Sequence, residues 1–128
     1  ASEFPRIDLA LLGLGTDGHT ASLFPDSPAL EGRRRLVVAH RAGPGGVGRI
    51  SLSVPVFNNA AWLAFLVAGG DKAQAVWATL RGPHQPRRLP AQLISPIRGR
   101  LVWMLDAAAA ALLADDSGEL PKSDFTCL

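Results

Sequence analysis

The sequence has no tyrosine, one cysteine and one methionine, and aromatic residues fill only 6% of its 128 positions. A lone cysteine, Cys127, can form no internal disulfide, which sets aside disulfide-stapled secreted scaffolds and suits a reducing cytosol. No apolar run reaches the roughly 18–20 residues that span a bilayer, so no membrane association is expected. The opening Ala1-Ser2-Glu3-Phe4-Pro5-Arg6 lacks a basic segment followed by an apolar stretch and does not read as a secretion signal. A strong charge of either sign is missing too, with 13 Lys and Arg against 11 Asp and Glu and a formal net charge of +2. The pI of 9.3 overstates this excess. Without tyrosine and with one cysteine, few groups release protons near pH 9, so a small positive balance carries the pI far. Nothing in it calls for nucleic acid as a partner. What is present is 48% hydrophobic residues, enough for a core, in a length that fits one ordinary domain.

Along the chain, Ile7 to Leu12 is apolar apart from Asp8 and reads as a buried strand. A glycine-rich turn, Gly13 to Gly18, follows, and His19 to Phe24 is expected to make one or two helical turns before Pro25. Leu36 to Ala39 is a second strand candidate, and Arg41 to Gly48 a glycine-rich connection. Arg49 to Val56 alternates, placing Ile50, Leu52, Val54 and Val56 on one inward face of a half-buried strand. Trp62 to Ala68 is apolar throughout, as in a central strand, and ends at Gly69-Gly70. Asp71 is the expected N-cap of a helix carrying Ala73, Val76, Trp77 and Leu80, closed by Gly82-Pro83. Leu101 to Leu105 is another strand, and Asp106 is expected to cap a helix over Ala107 to Ala114. Trp62, Trp77 and Trp103 all fall on apolar faces and read as core or half-core aromatics. The alternation predicts an α/β fold with a largely parallel sheet flanked by helices.

Gly13-Leu14-Gly15-Thr16-Asp17-Gly18 fits the G-x-G-x-x-G pattern after a strand, which raises dinucleotide binding. That fingerprint needs a full helix after the turn and an acid closing the next strand. Pro25 and Pro28 stop the helix, and the next strand ends in Ala39-His40, so no nucleotide cofactor is expected. Asp17 and His19 instead stand two residues apart at the carboxyl end of a strand, where α/β sheets place their sites. A histidine there can act as a general base, oriented by the carboxylate. The plainer alternative is an Asp17 that caps a short helix beginning at His19. Lys72, beside Gly69 and Gly70, either completes an anion pocket or is a solvated surface lysine. Arg49 reads by default as a solvated strand-edge residue, and Arg33-Arg34-Arg35 as a solvated run. His40 and His84 have no partners at metal-ligand spacing, so no metal is expected.

The segment from Ile7 through Gly13-Leu14-Gly15-Thr16-Asp17-Gly18-His19-Thr20-Ala21-Ser22-Leu23-Phe24-Pro25 closely resembles the signature of the 6-phosphogluconolactonase family. Arg49 to Asn58, Val67 to Ala73 and Leu101 to Ala109 resemble later blocks of that family, in the same order. The resemblance implies a Rossmann-like sheet of the sugar-phosphate isomerase and lactonase type, with residues 1–114 as its C-terminal portion and 115–128 as a frayed polar tail. It implies ring opening of a 6-phosphogluconolactone in the oxidative pentose phosphate pathway, in the cytoplasm and without a cofactor. His19 would be the general base and Asp17 its support, with Lys72 at the 6-phosphate. Gly15, Gly18, Thr20 and Arg49 are further substrate-binding candidates, and backbone N–H groups of the glycine turn are candidates for the oxyanion.

Family members are about twice as long, and their N-terminal half carries a Ser/Gly-rich phosphate loop not found ahead of Ile7. The sheet is therefore expected to be incomplete on its N-terminal side. The expected partners are the sugar-phosphate lactone itself and an N-terminal half, or a fused dehydrogenase, outside this chain. Two alternatives stay open: an amino-sugar-phosphate isomerase or deaminase of the same fold, and an inactive truncated product or interaction module.

Overall fold

The computed structural model describes residues 4–41 and 46–113, and the backbone of 125–127. Its strands in chain order are β1 (Leu9–Leu12), β2 (Val37–Arg41), β3 (Gly48–Leu52), β4 (Trp62–Val67), β5 (Arg100–Leu105) and β6 (Phe125–Cys127). Two α-helices intervene, α1 (Val54–Asn58) and α2 (Ala73–Leu80). The main sheet has the order β1-β4-β5-β6 with every neighbouring pair parallel, and β2 and β3 form a separate antiparallel pair. This is the parallel α/β arrangement that the alternation of elements predicts. Among the described residues no helix is long and apolar enough to cross a membrane.

One sheet face carries the core. Leu12, Leu63, Phe65, Val67, Trp103 and Leu105 are all buried there, and the register partners Phe65 and Trp103 stack with ring centroids 3.9 Å apart. Val76 of α2, Leu23 and Ile94 close over it. Each fully buried side chain of this size contributes about 1.5–3 kcal/mol, so this layer holds the strand ends in place. Trp103 is buried as expected, whereas Trp62 and Trp77 are nearly half exposed.

Several local expectations need correction. His19 to Phe24 is not helical: Thr20 and Leu23 form an isolated bridge around a tight turn, with Ala21 at φ 50°. The strand over Arg49 to Val56 ends at Leu52, because the Ser53 carbonyl accepts the first bonds of α1, from the Val56 and Phe57 N–H groups, and Pro55 sits in its first turn, where its missing N–H costs nothing. The inward face of this hairpin is also the opposite one. Val38 and Ser51, which pair in register, are buried, while Ile50 and Leu52 point outward. Asp71 makes no cap; a 3-10 turn over Gly70–Lys72 leads into α2 instead. Asp106 does cap, accepting from the Ala109 N–H at 2.8 Å, but residues 107–113 form successive turns rather than an α-helix. Residues 42–45 of the Arg41–Gly48 connection, and 115–124 and 128 of the tail, lie outside the described residues; within the tail, Phe125–Cys127 pairs with β5.

Candidate active site at the carboxyl ends of the strands

Three adjacent strands deliver their carboxyl ends to one place. β1 runs into the glycine turn, β4 into Gly69–Lys72, and β5 into Asp106. Such ends are where open parallel sheets bind ligands. Gly13, Leu14, Gly15, His19, Thr20, Ala21 and Lys72 line an open cleft of about 340 Å³.

Asp17 and His19 form a hydrogen-bonded pair in this site. Asp17 Oδ1 lies 2.6 Å from His19 Nδ1 and accepts the His19 backbone N–H at 3.0 Å. Burial alone would raise the Asp17 carboxyl, but the His19 backbone N–H, the His19 ring hydrogen bond and its charge outweigh that and hold it below its ordinary value. An ionised carboxylate only accepts, so the proton in this contact sits on Nδ1, and in the neutral form of the imidazole the lone pair is on Nε2. The side chains are 30% and 49% exposed, which leaves that lone pair within reach of water. This is the orientation a general base requires.

The glycines explain how the pair fits. A Cβ on Gly15 would stand 2.1 Å from His19 Nδ1 and 2.7 Å from Asp17 Oδ1, so only glycine lets the ring and carboxylate close over the turn. Gly18 has φ +87° and faces Leu89, away from the cleft. Thr20 is buried and donates its hydroxyl to the Gly13 carbonyl at 2.8 Å, pinning the turn. Two amides of the turn are engaged, Gly15 N–H donating to the His19 carbonyl and Gly18 N–H to the Gly15 carbonyl, and the adjoining His19 N–H donates to Asp17. Those three groups are therefore not free to hold an oxyanion.

Lys72 reaches the same cleft from β4. Its Nζ donates to the Leu14 carbonyl at 2.8 Å, which anchors the ammonium beside the glycine turn while two of its three protons stay available. Arg49 is not part of the cleft lining. It pairs in register with His40, and both approach Phe24: the Arg49 guanidinium lies 5.6 Å from the ring centroid and the His40 ring stacks at 4.9 Å. Phe24 stacks in turn on His19 at 4.5 Å. Arg49 thus borders the histidine through one aromatic ring. Sequence reading gives no part in the site to Phe24, which it offers only within the signature run, or to His40, which it offers only as a metal ligand without partners. The inverted hairpin face is what brings His40 and Arg49 inward, and Ser27 Oγ holds His40 Nδ1 at 2.7 Å. Among the described residues no cluster of His, Cys, Asp or Glu could hold a metal ion.

Comparison with known proteins gives this geometry a family context. Residues 1–103 match the family described as glucosamine-6-phosphate isomerases/6-phosphogluconolactonase. A 6-phosphogluconolactonase of Synechocystis is 43% identical over 109 residues, covering 85% of this chain and 44% of that protein. The 6-phosphogluconolactonase of Homo sapiens is 43% identical over 110 residues, covering 85% and 42%. Among solved structures, the 6-phosphogluconolactonase of Trypanosoma brucei superposes with a TM-score of 0.75 at 30% identity, over 86% of this chain and 43% of that one. The chain spans a little under half the length of the relatives it matches.

Proposed function

The chain belongs to the glucosamine-6-phosphate isomerase/6-phosphogluconolactonase family, and from that premise we propose that its site hydrolyses a 6-phosphogluconolactone to 6-phosphogluconate. The observation that carries the reading is the Asp17–His19 pair, with the Nε2 lone pair free, on the cleft that also receives the Lys72 ammonium. His19 Nε2 takes a proton from water as the water oxygen bonds to the lactone carbonyl carbon. Collapse of the tetrahedral intermediate breaks the bond to the ring oxygen, which takes up the proton from the imidazolium. The carboxylic acid product then ionises. Asp17 keeps Nδ1 protonated throughout and stabilises the transient imidazolium.

Lys72 holds the 6-phosphate with its remaining protons and so sets the position of the carbonyl, while Arg49 is a second contact at the Phe24 edge. Gly15, Gly18 and Thr20 act by shaping the turn. The relatives' names and the ionised carboxylate support the reading. The step belongs where a sugar-phosphate oxidised at C1 must be opened. A comparison of two substrates tests it: faster opening of 6-phosphogluconolactone than its spontaneous rate, with no turnover of glucosamine 6-phosphate, is expected. Turnover of the amino sugar alone would transfer the site to the isomerase branch of the family.

A further inference from the structure

Asp106 plays no part in the chemistry above, yet its side chain sits between the two strands that flank the Lys72 turn. Both carboxylate oxygens lie 3.1 Å from the Gly69 N–H, and Oδ1 also accepts the Ala109 N–H at 2.8 Å. Gly69 has φ +102°, and a Cβ there would meet Asp71 Oδ1 at 2.6 Å, so this residue has to be held by its backbone. Its carbonyl accepts the Lys72 N–H at 3.1 Å and closes the turn. Lys72 Nζ then reaches the Leu14 carbonyl at 2.8 Å. One run of bonds therefore leads from the end of β5, through the end of β4, to the ammonium beside the glycine turn.

We infer that Asp106 is a positioning residue for the Lys72 ammonium, tying the β4–α2 turn to β5 and so fixing where a substrate phosphate is gripped. This rests on the reading of Lys72 as the phosphate ligand. The role is geometric and not one of charge: a carboxylate near an anion site would by itself repel the ligand, and here its oxygens are taken up by backbone N–H groups. Oδ1 makes both kinds of contact, so an amide oxygen in its place can keep them, although the NH2 that replaces Oδ2 turns a donor toward the Gly69 N–H.

Calorimetric titration of the whole chain with 6-phosphogluconate, in four variants, tests the inference. Asp106→Ala is expected to weaken binding on the order of ten-fold, the scale on which a small misplacement of a positioned group is felt. Asp106→Asn should weaken binding less than Asp106→Ala does, because Oδ1 is retained while Oδ2, the second acceptor of the Gly69 N–H, is lost. Lys72→Ala should weaken binding, and adding Asp106→Ala to it should change nothing further. Should Asp106→Ala fail to fold, Asp106→Glu, which keeps the charge and displaces the carboxylate by one methylene, takes its place with the same expected loss. Unchanged affinity in Asp106→Ala, or losses that add to those of Lys72→Ala, would overturn the positioning role while leaving Lys72 as ligand. Unchanged affinity in Lys72→Ala, or no binding by the unmodified chain, would instead remove the phosphate reading and the inference with it.

Discussion

At the scale of single residues the account turns on Asp17. Its carboxyl titrates below the ordinary value of 3.8 although burial pushes the other way, because His19 offers it a backbone N–H, a ring N–H and a positive charge. Between the lowered value and 3.8 the folded chain binds fewer protons than the unfolded one. The contact therefore stabilises the fold fully above 3.8, and that stability is lost as pH falls through the lowered folded value. Asp17→Asn should accordingly melt slightly below the unmodified chain at pH 6, with the gap closing towards pH 3; thermal melts at several pH values check this. A gap independent of pH would mean that the carboxylate contributes shape and not charge. The same variant frees His19 to adopt the other tautomer, and lactone opening should fall by about 10²-fold or more.

At the scale of elements, the glycine turn is a device for closing a ring onto a carboxylate. Gly15→Ala adds one methyl group where the His19 ring and Asp17 oxygen already sit, and the flexible ring must move to admit it. The expected result is a loss of activity close to that of removing His19, with destabilisation of only about 1–3 kcal/mol. Activity and melting temperature measured side by side separate these effects.

The turn, with β1, β4 and β5, was legible in the sequence because each strand is a continuous apolar run ended by glycine or an acid, but the burial expected of β1 and β4 holds on one face only, since Leu9, Leu11, Trp62 and Leu66 are exposed. The Asp106 cap was legible for the same reason. The hairpin was not. Strict alternation shows that one face of β3 differs from the other, but the buried partner of Val38 is Ser51, whose hydroxyl accepts the Ser22 N–H and donates to the Leu52 carbonyl. Apolar Ile50 therefore ends up outside, and hydrophobicity alone points the wrong way. The segment after His19 failed as a helix because Ala21 adopts φ 50°, a reversal that no local residue preference announces. Phe24 and His40 reach the site only through that reversal and that inverted face, so their role depends on tertiary packing. Lys72 lines the cleft beside the glycine turn, but its anchor is a carbonyl, Leu14, which leaves no trace in side-chain patterns.

At the scale of the whole molecule, the described residues cover one face of the sheet and leave much of the other open, Ala64 excepted. Leu9 and Leu11 of β1 and Trp62 and Leu66 of β4 are 45–61% exposed on the face opposite the core, and the Arg100 guanidinium lies 5.5 Å from the Trp62 ring. A contiguous apolar face of this kind favours association. Sedimentation of the isolated chain should show self-association that grows with concentration, and Leu11→Lys combined with Leu66→Lys should shift it towards monomer. No change would mean that the face is too well shielded to drive contact. The chemistry on the other side of the sheet stands apart from this. Its central claim is that His19, oriented by Asp17, activates water against a lactone. The most direct measurement is the rate of 6-phosphogluconolactone opening above its spontaneous rate, by the unmodified chain and by His19→Ala. The account predicts acceleration by the first and background alone with the second; equal acceleration by both would contradict it.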